Sequence, residues 1–168
     1  MENLIPRNVM AISILSTDSQ HADFQQLTAS LDKELLRRYP AITGKYDAYN
    51  AVPAGTPVWI AYYDDMAVGC GTFANVGDGV AEIKRMYVMP GYRGLGIAAQ
   101  LLDVIEMKLL DEGFHSAVLE TGVKQTEGIK MLHERGYQTI ENYGPYVGCE
   151  SSVCLRKELH VEEMKAYK

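Results

Sequence analysis

Apolar residues change their spacing several times along the chain, and each change marks an element. Val9 to Leu15 is a short apolar run that predicts a strand. Ser16, Thr17, Asp18 and Ser19 follow, and their side chains can accept from free backbone N–H groups, the chemistry that starts a helix. Phe24, Leu27, Leu31, Leu35 and Leu36 then repeat at helical spacing until Pro40 stops the pattern at Tyr39. Residues 41–57 hold Gly44, Pro53, Gly55 and Pro57 among aromatic residues. They read either as a second short helix with a loop or as a flap.

From Val58 the pattern is that of strands. Val58–Tyr63 and Ala67–Phe73 are rich in branched and aromatic residues, with Asp64-Asp65 predicting a tight antiparallel turn between them. Gly77-Asp78-Gly79 turns the chain into Val80–Val88, which Met89-Pro90-Gly91 ends. Helical spacing returns after Gly94 with Ile97, Leu101, Leu102, Ile105 and Leu109 on one face and Gly113 closing the helix. A strand at Ala117–Thr121, a helix at Thr126–Arg135 closed by Gly136, and strands at Tyr137–Ile140 and Ser152–Leu155 complete the series. The end of the chain, from His160 to Lys168, is polar and expected to fray. The expectation is a single α/β (α+β) domain over 1–168.

Composition narrows the choice of function. At 168 residues, 47% hydrophobic and 23% charged, the chain can build one ordinary core. Its formal charge of -6 argues against a broad nucleic-acid face while leaving room for a local basic pocket. No apolar run reaches the roughly 20 residues of a membrane span, and the first eight residues show no secretion signal. Cys70, Cys149 and Cys154 are unclustered, so they read as reduced thiols of a cytoplasmic protein rather than disulfides or a zinc site.

The most informative segment runs from Glu82 to Ala99. A strand enters a loop, and Gly94, Gly96, Ala98 and Ala99 sit where a helix begins. Unpaired N–H donors and partial positive charge at a helix N-terminus suit an anion, and residues without a bulky Cβ branch let a pyrophosphate approach. The same glycines would equally allow a bare strand-to-helix turn. Gly94-x-Gly96-x-x-Ala99 formally matches a dinucleotide fingerprint, but Glu82 and Lys84 are unlike a strand covered on both faces. No Gly-Lys-Ser/Thr follows, which excludes a P-loop.

Arg93-x-x-Gly96-x-Ala98 at a helix start, Met86-Tyr87-Val88 before Pro90, and Gln125-Thr-Glu-Gly running to Gly136-Tyr137 together resemble the GNAT superfamily of acetyl-CoA-dependent N-acetyltransferases. The resemblance covers residues 58–157. It implies a mixed, mostly antiparallel sheet of six or seven strands split into a V, flanked by about four helices. Residues 58–157 would form the cofactor-binding core, 1–57 the acceptor side and 158–168 a tail. Acetyl-CoA would be the co-substrate, with no metal. Its pantetheine arm would pair with open backbone at Met86, Tyr87 and Val88, and its pyrophosphate would rest on Arg93, Gly94, Leu95, Gly96, Ile97 and Ala98, with Arg93 as counter-charge. Gln125 stands where the family often has Asn. The acceptor would be an amine of a small molecule or peptide, and a homodimer is in keeping with the family.

For chemistry, Glu82 is the candidate general base, and strand alternation puts Glu82, Lys84, Met86 and Val88 on one face. The bland reading of Glu82 is a solvent-facing charge paired with Lys84 or Arg85. A backbone N–H near Val88 would hold the oxyanion. Many members have a Tyr that protonates the leaving thiolate where this chain has Leu132. Tyr143 and Tyr146 are the candidate acids in its place, or else walls of the pocket. Glu120 and Thr121 end the second arm of the V and are candidate acceptor contacts, as are Tyr46 and Tyr49, where aromatic faces suit a cation. Cys149 and Cys154 read as packing residues. Two competing readings are a non-catalytic acetyl-CoA sensor, favoured by Leu132, and a nicotinamide-binding oxidoreductase.

Overall fold

The structure, a computed structural model, describes residues 12–42, 44 and 46–160. Within them the chain forms β1 (Ile12–Asp18), α1 (Ala22–Arg38), α2 (Asp47–Asn50), β2 (Pro57–Tyr63), β3 (Met66–Gly77), β4 (Val80–Val88), α3 (Ile97–Asp111), β5 (Ser116–Gly122), α4 (Thr126–Glu134), β6 (Gln138–Ile140) and β7 (Ser152–Glu158). Short 3-10 turns occupy Pro40–Ile42 and Gly144–Tyr146. The start of the expected first strand, residues 9–11, and most of the expected tail, residues 161–168, lie outside the described residues.

One seven-stranded sheet runs β1-β2-β3-β4-β5-β7-β6, antiparallel throughout except for β4 beside β5. A parallel dinucleotide-binding sheet is thereby ruled out. β2 shows why its run is continuously apolar: Val58 and Ile60 pack under Phe24, Leu27 and Leu31 of α1, while Trp59 and Ala61 face Ile97, Leu101 and Ile105 of α3. The sheet is therefore covered on both faces, by α1 on one and by α3 and α4 on the other. Glu106 of α3 is buried in the second layer, where it accepts from Lys157 (2.7 Å) and Tyr137 (3.2 Å) and so ties that helix to β7.

Two expectations need correction here. Ser16, Thr17 and Asp18 do not start a helix; they pair with Trp59, Val58 and Pro57 as the end of edge strand β1. Asp18 instead closes the following turn by accepting from the Gln20 N–H at 2.8 Å, and His21 Nδ1 caps α1 by accepting from Asp23 N–H at 3.1 Å. The tail boundary at residue 158 also falls inside a strand, although the polar stretch from His160 does not. Glu158 ends β7, and Leu159 is buried with its N–H bonded to the His115 carbonyl at 2.8 Å.

Two irregularities of β4 shape everything functional. It pairs with β5 through three residues only, Val80, Ala81 and Glu82 opposite Ser116, Ala117 and Val118, and the two strands then part. On its other side β4 carries one extra residue against β3 between Thr72 and Cys70, and Arg85 sits there at φ +56°. Such a bulge reverses the phase of the strand. Ala81 and Ile83 face α3, but so do Met86 and Val88 beyond the bulge, while Tyr87 packs under α1. Glu82 and Lys84 thus lie on the α1 face and Met86 and Val88 on the opposite one, not all four together as simple alternation predicts.

Candidate active site

The parting of β4 and β5 opens a cleft of about 910 Å³ that runs from the glycine-rich turn to the residues before β2 and β7. At one end α3 begins. Gly96 caps it at φ +80°, no side chain caps its first amides, and no atom lies within 4 Å of where a Cβ at Gly94 or Gly96 would stand. A helix start with free N–H groups and cleared space above it fits a diphosphate. Gly94, Gly96, Ile97 and Ala98 all line the cleft. Leu95 does not; its side chain faces outward and is 45% exposed, leaving only its backbone to the turn.

Arg93 is placed differently from a free counter-charge. Its guanidinium binds both oxygens of the buried Glu34 of α1, at 2.8 and 3.0 Å, and its Nε donates to the Val88 carbonyl at 2.7 Å. Arg38, one turn on from Glu34, donates to Gln125 at 3.1 Å. Tyr39 accepts from the Lys124 N–H at 3.2 Å, with its hydroxyl against Gly122 so closely that a Cβ there would overlap it. The last turn of α1 thus fastens to both arms of the V. Met86, Tyr87 and Val88 line the cleft. Val88 faces Gly69 while Met89 N–H donates to the Val68 carbonyl at 2.8 Å, so Val88 belongs to a non-hydrogen-bonded pair and turns its own N–H into the V.

At the other end lie the carboxylates. Glu82 is 2% exposed, and its two oxygens accept from the Tyr49 hydroxyl (2.8 Å) and the Tyr143 hydroxyl (2.7 Å). Lys84 stands 3.7 Å from the same carboxylate, donates to the Tyr49 carbonyl and lies over the Tyr49 ring. Burial lowers the proton affinity of Lys84. Solvent-facing pairing is therefore not how Glu82 is held. Glu120, on β5, lines the cleft with Thr121, and burial raises its pKa to about 7. Tyr46 and Tyr146 also line it, their ring centroids 5.3 Å apart, with Tyr49 and Tyr143 edge-on to Tyr146 at 5.6 and 5.9 Å. Tyr49 and Tyr143 stand behind this lining and reach the cleft through Glu82. Burial drives the hydroxyls of Tyr143 and Tyr146 well above the ordinary tyrosine range, the direction of a weaker acid. Leu132 is buried in the α3-side core.

Sequence reasoning missed two parts of this site. Glu34 and Arg38 were not singled out, although Glu34 continues the apolar stripe of Phe24, Leu27 and Leu31, and a carboxylate in such a stripe signals a buried partner. Cys149, read as packing, has the Ser151 and Ser152 hydroxyls each 3.4 Å from its sulfur. Those hydrogen bonds, Ser151 first, bring its thiol down to about 6, while its interaction with Tyr46 lifts that phenol to about 12. Among the described residues no cluster of His, Cys, Asp and Glu has metal-site geometry, and no helix is long and apolar enough to cross a membrane.

A sheet split beside an uncapped helix start, with an acid-and-tyrosine chamber at the far end, is the arrangement that the resemblance to acetyl-CoA-dependent acetyltransferases implies. The profile of the Acetyltransferase (GNAT) family matches residues 22–137. An IAA acetyltransferase of Azospirillum brasilense is 32% identical over 136 residues, 80% of this chain and 89% of that protein. A Klebsiella pneumoniae protein assigned to the acyl-CoA N-acyltransferases superposes with a TM-score of 0.73 at 30% identity, over 89% of this chain and 98% of that one. A GNAT acetyltransferase of Elizabethkingia anophelis, solved with acetyl-CoA bound, shares the fold at a TM-score of 0.64 and 18% identity over 88% of this chain and 98% of that one. The chain belongs to the GNAT family of acetyltransferases.

Proposed function

We propose that the chain moves an acetyl group from acetyl-CoA to a primary amine of a small molecule or peptide, by direct attack within a ternary complex. The observation that carries this reading is the parting of β4 and β5 after three residue pairs, beside the uncapped start of α3. The amides of Arg93 to Ala98 would hold the diphosphate and the exposed backbone of Met86 to Val88 the pantetheine arm. The Val88 N–H would receive the oxyanion as the thioester carbonyl becomes tetrahedral. Gln125 would reach the arm through the carboxamide that Arg38 now orients.

The acceptor would enter past Tyr46 and Tyr146, whose ring faces suit an ammonium group, with Tyr49 and Tyr143 supporting them from behind. Glu82 and Glu120 supply the negative charge that draws it in, and one of the two takes its proton; Thr121 borders the same space. With Leu132 in the core, the thiolate departs without a side-chain acid, as a thiol of pKa about 8.5 can.

The test is an acetyl-CoA-dependent screen of polyamines, amino acids, aminoglycosides and peptide N-termini, following CoA release. Turnover with at least one class supports the reading. A protein that binds CoA yet acetylates none of them would be a sensor instead, the reading that Leu132 favours.

A further inference from the structure

We propose that Glu120 is the catalytic base of the transfer and that Glu82 is a positioning residue holding the acceptor walls. This assignment rests on the reading of the site as an amine acetyltransferase.

The two carboxylates occupy different places in the V. Ala117 and Leu119 of β5 face α3, so Val118 and Glu120 face the α1 side, as Glu82 does. Glu82 stands at the last rung, opposite Val118. Glu120 lies two residues further along, past the point where the strands part and within the open cleft. From strand rise and spacing their backbones are ~8 Å apart. An amine between them meets Glu120 from the open arm.

Their hydrogen bonding differs as well. Each oxygen of Glu82 already accepts a tyrosine hydroxyl, with the Lys84 ammonium 3.7 Å away. The two hydroxyls fix the orientation of the Glu82 carboxylate from both sides. By accepting one hydroxyl from the segment before β2 and one from the segment before β7, Glu82 pins Tyr49 and Tyr143, and through them the walls of the chamber. Ser152 and Cys149 from β7 and its preceding loop and Glu82 from β4 act on Glu120, and the Glu120 charge in turn acts on Tyr46, Tyr49, Tyr146 and Cys154. None of these is a cation. Only the Ser152 hydroxyl favours the carboxylate, while desolvation and the negative charges of Cys149 and Glu82 favour the acid, and the group balances at about 7. A base poised there both holds its proton-accepting form at neutral pH and retains the strength to use it.

In the step, the acceptor ammonium gives one proton to the Glu120 carboxylate, and the freed nitrogen pair attacks the thioester carbon. The C–N bond forms, the C–S bond breaks with its electrons on sulfur, the second nitrogen proton ends on the thiolate, and Glu120 returns its proton to solvent.

The test compares the wild-type enzyme with Glu120→Gln and Glu82→Gln, using one primary amine acceptor. Readouts are the pH dependence of kcat/KM and, as a check of folding, CoA affinity by calorimetry. The wild type is expected to show a limb rising tenfold per pH unit and flattening near 7. Glu120→Gln should lose that limb, fall about 10²-fold or more at the plateau and keep its CoA affinity. Glu82→Gln should keep the limb, displaced to lower pH by the loss of its charge, and lose chiefly in KM, as the tyrosine walls loosen. The assignment is overturned if Glu82→Gln abolishes the limb and Glu120→Gln retains it. It is overturned alone if wild-type turnover persists in Glu120→Gln with its limb intact; a wild type that acetylates no amine sinks the parent reading with it.

Discussion

Cys149 and Glu120 show how neighbours a few ångströms away set what a side chain can do. Three cysteines of one chain differ in their proton affinity: burial pushes Cys70 up to about 12 and raises Cys154, whereas hydroxyls bring Cys149 down to about 6. Brief treatment with iodoacetamide at neutral pH should label Cys149 first, with peptide mass spectrometry locating the adduct. Equal labelling of all three would contradict the geometry around Ser151 and Ser152. For Glu120 the sign of the effect on stability follows from linkage. Its carboxyl holds a proton up to about 7 in the folded protein but loses it near 4.5 when unfolded. Between those values the folded state binds more protons, so its contribution falls as pH rises and stays low above 7. Glu120→Gln should therefore be more stable than the wild type at pH 8 by on the order of 2 kcal/mol, with the gain vanishing below pH 4.5. Thermal melts across that range measure it.

Elements were legible in the sequence wherever burial imposed a period. The stripe of α1, the apolar run of β2 covered on both sides, and Gly96 before α3 each carry their cause in residue type. The bulge in β4 does not. Its extra residue is Arg85, whose side chain binds Asp32 at 2.7 Å and gives no sign in sequence of the left-handed backbone beneath it. The polar end of β1 was misread for a related reason: on an edge strand, Ser16 and Asp18 can face water while pairing, and that pattern mimics a cap. Of the site, the glycine turn before α3 and Glu82 were visible, but the hydroxyls gathered on Glu82 come from segments 33 and 61 residues away. Turn geometry makes its own prediction. Gly96→Ala places a Cβ at φ +80° and should cost about 1–2 kcal/mol, while lowering CoA affinity about tenfold by filling the cradle. Gly113→Ala, at φ +89° beyond the far end of α3, should lose similar stability and leave CoA affinity unchanged. Calorimetric titration with CoA separates the two.

Across the whole molecule, the sheet supplies rigidity on either side of an opening that its own pairing does not close. α1 spans that opening by hydrogen bonds with Arg93, Gln125 and Lys124. Arg93→Ala would leave the buried Glu34 with Arg38, 3.7 Å away, and should destabilise the fold by about 3 kcal/mol. Denaturant melts of Arg93→Ala and of Arg93→Ala with Glu34→Gln should show the double variant recovering most of the loss, because the second change removes the stranded charge.

The reach of α1 to both lips of the cleft also bears on how the two substrates affect each other. The turn that grips Arg93 and Gln125 carries Tyr39, pressed on Gly122 where β5 leaves Glu120. On the proposed placement, donor and acceptor share one strap, and any free energy the first invests in tightening it is already spent when the second arrives. Reciprocity then demands that an acceptor sharpen the hold on CoA by the same factor by which CoA sharpens the hold on the acceptor.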